Sequence, residues 1–178
     1  MMRSILGRLA AVMLFAAPAV AQNQPVTIFV VRHAEKGPEQ PDPSLTTAGA
    51  VRAATLAAML HDARITAVFA SQFKRTQETG APAAASAGVS VQVVDAGQTD
   101  ALIAAIKALP AGSRALVVSH SNLVPVIVEK LSGEKVAELT DADYDRLYVV
   151  TIRSDGTASA VMLHYGAPSG TGTAPMQE

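Results

Sequence analysis

The sequence predicts an α/β fold, a three-layer αβα sandwich around a mixed, mostly parallel sheet with a C-terminal antiparallel hairpin. Three observations predict it. Apolar, β-branched runs alternate with helical stretches of about ten residues, the pattern of βαβ crossovers. The last two apolar runs, over 147–153 and 158–165, instead flank Ser154-Asp155-Gly156-Thr157, a strong hairpin signal. Charged and polar residues gather just after successive strands, at the edge where open α/β sheets bind ligands.

The elements follow in order. Val26-Thr27-Ile28-Phe29-Val30-Val31 is the first strand, buried by composition. Residues 37–43 carry three prolines and predict an irregular loop. Thr46 or Thr47 caps a helix to about Leu60, with Val51, Leu56, Met59 and Leu60 as its apolar stripe. Residues 65–70 form a short strand. Residues 74–87 form an alanine-rich helix that Gly80 and Pro82 are expected to kink or split. Residues 89–94 alternate as a strand, and 100–109 form a helix stopped by Pro110-Ala111-Gly112. A central strand over 114–119 and a helix over 123–131, ended by Ser132-Gly133, complete the parallel part.

The two ends read differently. Arg3 and Arg8, an apolar stretch over 9–17 and Ala19-Val20-Ala21 together describe a signal peptide over 1–21, cut before Gln22. The expectation is an exported protein, periplasmic or secreted, with no stable membrane anchor after processing. The apolar stretch is shorter than the ~20 residues that a bilayer span needs. Residues 166–178 lack periodicity and are expected to form a disordered tail. Between them, 22–165 is one domain with a single core. The chain contains no cysteine, which excludes disulfides and thiolate chemistry. Net charge is −1 with acids and bases mixed, so no electrostatic footprint for nucleic acid appears. Nothing specifies an oligomeric state.

The chemistry lies at the strand ends. Arg32-His33-Ala34-Glu35-Lys36 follows the first strand, Ser71 to Thr79 the second, Asp95 the third, and Ser119-His120-Ser121-Asn122 the fourth. If the strands are parallel, all four groups share one edge. Arg32 and Arg75 can each donate paired hydrogen bonds to phosphate oxygens. Helix beginnings near Arg75 and Asn122 add backbone N–H groups that favour an anion. One imidazole must be neutral to attack phosphorus, and the other serves better protonated.

These motifs, with Leu45-Thr46-x-x-Gly49 ahead of the first helix, resemble the histidine phosphatase superfamily, the phosphoglycerate-mutase-like proteins. The resemblance covers nearly the whole mature chain in motif order. It implies that His33 is the nucleophile, forming a phosphohistidine that water hydrolyses. It implies that Arg32, Arg75 and His120 form the phosphate pocket and that no cofactor or metal is used; Asn122, by its place at a helix start, is a further phosphate-binding candidate. Larger relatives carry their proton donor in an insertion after the third strand, or as an Asp directly after the second His. Here Ser121 follows His120, which leaves Asp95 and Glu35 as alternative donors. The chain is too short for cap insertions, so an open, shallow site is expected, fitting a small or envelope-associated phosphorylated substrate.

Two rival readings compete with a phosphomonoesterase. One is a phosphate-binding module without turnover, the other a metal-dependent hydrolase using His33, His120 and nearby carboxylates. Asp141-x-Asp143-x-Asp145 imitates the start of a calcium loop but lacks its later glycine and glutamate. Ser119 and Ser121 lack the glycines of a nucleophile elbow. His61 and His164 read as ordinary helix-end and strand positions.

Overall fold

The computed structural model describes residues 24–170, so the expected signal peptide over 1–21 lies outside the described residues. Within them, a six-stranded sheet has the spatial order β3-β2-β4-β1-β5-β6. The strands are β1 (Val26–Arg32), β2 (Ala67–Ala70), β3 (Val91–Val93), β4 (Arg114–Ser119), β5 (Arg146–Ile152) and β6 (Ala158–His164). The helices are α1 (Thr47–Leu60), α2 (Lys74–Ala87), α3 (Thr99–Lys107) and α4 (Val124–Ser132). Pairings β1–β4, β4–β2 and β2–β3 are parallel, whereas β1–β5 and β5–β6 are antiparallel. The predicted mixed sheet with its terminal hairpin is therefore present.

Strand alternation builds the three layers. Val30 and Val117 face α3 and α4, packing with Ile103, Ile106 and Ile127. Their neighbours Val31 and Val118 face α1 and α2, packing with Leu56, Leu60 and Ala83. Because β1 and β4 are covered on both faces, their sequences are continuously apolar. Side chains at the ends of these strands thus project from the best-buried part of the molecule.

Several local expectations change. Val51 and Met59 are exposed, and α1 instead turns Gly49, Arg52, Ala53, Leu56, Ala57 and Leu60 inward. A charged residue on the inner face hid that stripe from a hydrophobic reading. Thr46 is the helix cap, accepting from the Gly49 N–H at 3.1 Å. α2 runs unbroken through Gly80 and Pro82. Gly80 lies against Val68 and Val118, so the missing side chain lets the helix sit close to the sheet. β2 and β3 are shorter than expected, as β3 forms the sheet edge.

The segment from Gly166 to Gly170, expected to open the disordered tail, is tied to the domain. Ser169 Oγ accepts from the N–H groups of Tyr144 (2.7 Å) and Asp145 (2.9 Å). Arg52 donates to the carbonyls of Tyr165 (3.0 Å) and Ala167 (2.9 Å). Glycine, serine and proline composition cannot register such contacts, because they are made by partners more than twenty residues away. The rest of the tail lies outside the described residues. Among the described residues, no helix is long and apolar enough to cross a membrane.

Candidate active site

The two imidazoles meet because of strand register. Arg32 on β1 pairs with Ser119 on β4, so the next residue of each strand is a histidine. The His33 N–H donates to the Ser119 carbonyl at 2.8 Å, extending the ladder by one step. The rings of His33 and His120 then lie with centroids 5.5 Å apart and planes at 65°.

Each ring is held in one tautomer. His33 Nδ1 lies 2.8 Å from the Ala34 carbonyl, which can only accept, so Nδ1 carries the proton. Its Nε2 is left with a free lone pair. His120 Nε2 lies 2.9 Å from Ser71 Oγ, and Ser71 Oγ lies 2.9 Å from Thr76 Oγ1. Thr76 in turn donates to the Phe73 carbonyl at 2.7 Å. The self-consistent direction is therefore His120 to Ser71 to Thr76 to Phe73, which leaves Nδ1 of His120 unprotonated while the ring is neutral. Burial lowers the His33 pKa to about 3, helped by the charges of Arg32 and Arg75 and opposed by the Ala34 bond. Burial, then Arg75 and Arg32, lowers that of His120 to about 4. Both rings are neutral near pH 7, as a nitrogen nucleophile requires.

The arginines supply the charge. Arg32, only 3% exposed, donates Nη1 to the carbonyls of Thr140 (2.9 Å) and Asp143 (3.2 Å). Its guanidinium lies 4.1 Å from the Tyr144 ring centre, and that of Arg75 lies 4.4 Å from the Phe73 ring. The Nε atoms of both arginines are buried without any hydrogen-bond partner. Unpaired donors on a cation are costly, and both arginines line one cavity able to admit an anion. The helix starts contribute less than expected. Asp42 occupies the Lys74 N–H at 3.0 Å, and the N–H groups of Leu123 and Val124 turn back onto the His120 carbonyl.

Arg32, His33, Arg75, His120 and Asn122 line one solvent-open cavity of about 860 Å³, with Lys36 and Phe73 at its wall. The two predicted proton donors are not among its lining residues. Asp95 closes a turn, its Oδ1 accepting from the Gly97 N–H at 2.8 Å, and only its neighbours Ala96 and Gly97 reach the cavity. Glu35 is gripped by Arg52 through three hydrogen bonds of 2.8–3.0 Å. Burial raises its pKa, but the bonds and charge of Arg52 outweigh this and hold it below the ordinary value. The Glu35 carbonyl accepts from Thr46 N–H at 2.9 Å and lies against Gly49, where a Cβ would overlap it. The Leu45-Thr46-x-x-Gly49 motif thus shapes the loop behind His33. Asp141, which sequence reasoning set aside with the calcium-like pattern, is the carboxylate that lines the cavity. Its Oδ1 lies 3.5 Å from Arg32 Nη2.

Residues 28–98 match the family model of the histidine phosphatase superfamily (branch 1), a span that includes Arg32, His33 and Arg75. The match spans less than half of the chain, so the superfamily is what this segment is similar to. Solved structures share the fold. The protein histidine phosphatase SixA, solved with tungstate, is 24% identical with a TM-score of 0.62, covering 78% of this chain and 96% of that one. A mycobacterial glucosyl-3-phosphoglycerate phosphatase is 13% identical with a TM-score of 0.62, covering 79% and 99%. A phosphoglycerate mutase from Plasmodium falciparum is 14% identical with a TM-score of 0.60, covering 85% and 99%. No curated protein sequence matches the chain significantly.

Proposed function

We propose that this chain hydrolyses phosphomonoesters, or a phosphoramidate or acyl phosphate, through a covalent phosphohistidine on His33. The observation that carries the reading is the free Nε2 of a neutral His33 beside buried Arg32 and half-buried Arg75, whose Nε donors lack partners. A phosphoryl group satisfies both. Its oxygens take the guanidinium donors while its phosphorus meets the lone pair. Dianion binding offsets the positive field around His120, which favours uptake of a proton at its Nδ1 and adds a further donor to the transferring group.

The open cavity favours substrates whose phosphate stands clear of the carrier, and the likeness to SixA, named as a protein histidine phosphatase, adds phosphohistidine on a protein surface. The chain over 1–21 supports export of the enzyme, and therefore an extracytoplasmic or envelope-associated substrate. Fractionation with N-terminal sequencing tests this, with a mature start at Gln22 expected.

The decisive experiment incubates the purified chain with p-nitrophenyl phosphate and acetyl phosphate, with and without chelator. Phosphate release that survives chelation, is abolished by His33→Ala and passes through an acid-labile phosphoenzyme supports the reading. Release that stops on chelation favours the metal-dependent rival. Phosphate binding without release favours the binding module.

A further inference from the structure

We propose that Asp141 is the acid–base residue of this pocket, an inference that rests on the phosphatase reading above. Among the described residues, Asp141 is the only carboxylate that lines the cavity shared by His33 and His120. Glu35 is committed to Arg52 and Asp95 to its turn. The position of Asp141 is not accidental to the site. Arg32 holds the preceding carbonyl of Thr140 at 2.9 Å and that of Asp143 at 3.2 Å, so the catalytic arginine itself pins the loop on either side. The carboxylate lies 3.5 Å from Arg32 Nη2 with its side chain fully exposed, free to swing toward a group bound there. Asp143, two residues on, is engaged by Arg146 at 3.1 Å and by Thr140.

The charges around Asp141 support a proton-transfer role. Arg32, Arg75, Lys36 and the two imidazoles face the same cavity. As His33 Nε2 bonds to phosphorus, the bond from phosphorus to the leaving oxygen breaks and that oxygen takes the Asp141 proton. In the second step water attacks phosphorus, its proton passes to the Asp141 carboxylate, and the bond to Nε2 breaks. Alcohol and inorganic phosphate are released, with His33 and Asp141 restored.

The test is leaving-group dependence. Wild type, Asp141→Asn and Asp141→Glu are assayed with p-nitrophenyl phosphate, whose leaving group needs no proton, and with glycerol 2-phosphate, whose alkoxide does. Asp141→Asn is expected to lose roughly 10²–10⁴-fold in kcat on the alkyl ester but under tenfold on the aryl ester. Asp141→Glu should recover part of the alkyl activity. Equal losses on both esters, or none on either, overturn the proposal, as does an alkyl-specific loss appearing in Asp95→Asn or Glu35→Gln instead. Wild type that hydrolyses the aryl ester through His33 but never the alkyl ester overturns it while leaving the phosphatase reading intact. Wild type inactive on both overturns the two together.

Discussion

Glu35→Gln separates a structural carboxylate from a catalytic one. Wild-type Arg52 is 4% exposed, and among the described residues its only acidic partner is Glu35, through three hydrogen bonds of 2.8–3.0 Å. Glutamine keeps the shape and one acceptor oxygen but removes the charge, leaving a buried guanidinium whose remaining partners, that amide oxygen and the Tyr165 and Ala167 carbonyls, are all neutral. Breaking a fully buried pair costs about 3–5 kcal/mol, and the 25% exposure of Glu35 lowers that to about 2–3 kcal/mol here. For a domain of this size the melting temperature should fall by about 5–10 °C. Activity at a temperature where both proteins are folded should change by less than tenfold, because Glu35 does not line the cavity. Thermal unfolding followed by circular dichroism, alongside steady-state hydrolysis of glycerol 2-phosphate, reads both quantities. An unchanged melting temperature with a hundredfold loss of kcat would refute the reasoning and return Glu35 to catalysis.

Arg75→Ala should weaken binding of inorganic phosphate or tungstate by about 3 kcal/mol, roughly a hundredfold in Kd by calorimetry, with the fold unchanged. Gly49→Ala should destabilise the protein by about 1–3 kcal/mol in urea titration and lower activity with it, since the new methyl meets the Glu35 backbone. Ser71→Ala should lower kcat about tenfold with little change in stability, because His120 loses the partner that fixes its tautomer. The histidine shifts predict a pH dependence. The native pKa values of about 3 and about 4 lie below the ordinary 6.5, so the unfolded chain binds more protons between them. Stability of the unliganded protein should therefore fall as pH drops below about 6.5 toward 4, and added phosphate should oppose that fall in a melting-temperature series.

The layers were legible because strand and helix periods differ and because Ser154-Asp155-Gly156-Thr157 announces its hairpin. The meeting of Arg32, His33, Arg75 and His120 was legible for a related reason: parallel strands send all their carboxyl ends to one edge. What escaped depends on distance along the chain. Glu35 looked catalytic because it sits two residues from His33, and only the fold reveals that Arg52 claims it. Asp95 follows a strand as the others do, but β3 is the short edge strand, and its end lies to the side of the cavity mouth. Asp141 lies more than a hundred residues from Arg32, in a pattern with a more obvious reading as a cation loop. A buried arginine with empty donors needs acceptors from somewhere, and that need was the available clue.

One consequence concerns how substitutions of Arg32 are interpreted. Its Nη1 holds two carbonyls of the 140–143 segment while its Nε stays unclaimed, so a single side chain both anchors a surface loop and lines the cavity. An alanine there removes a tether as well as a contact, and any lost turnover mixes the two. Lysine separates charge from shape: it restores a positive charge but neither the two carbonyl tethers nor the paired donors, so whatever defect persists in that variant is not a loss of charge.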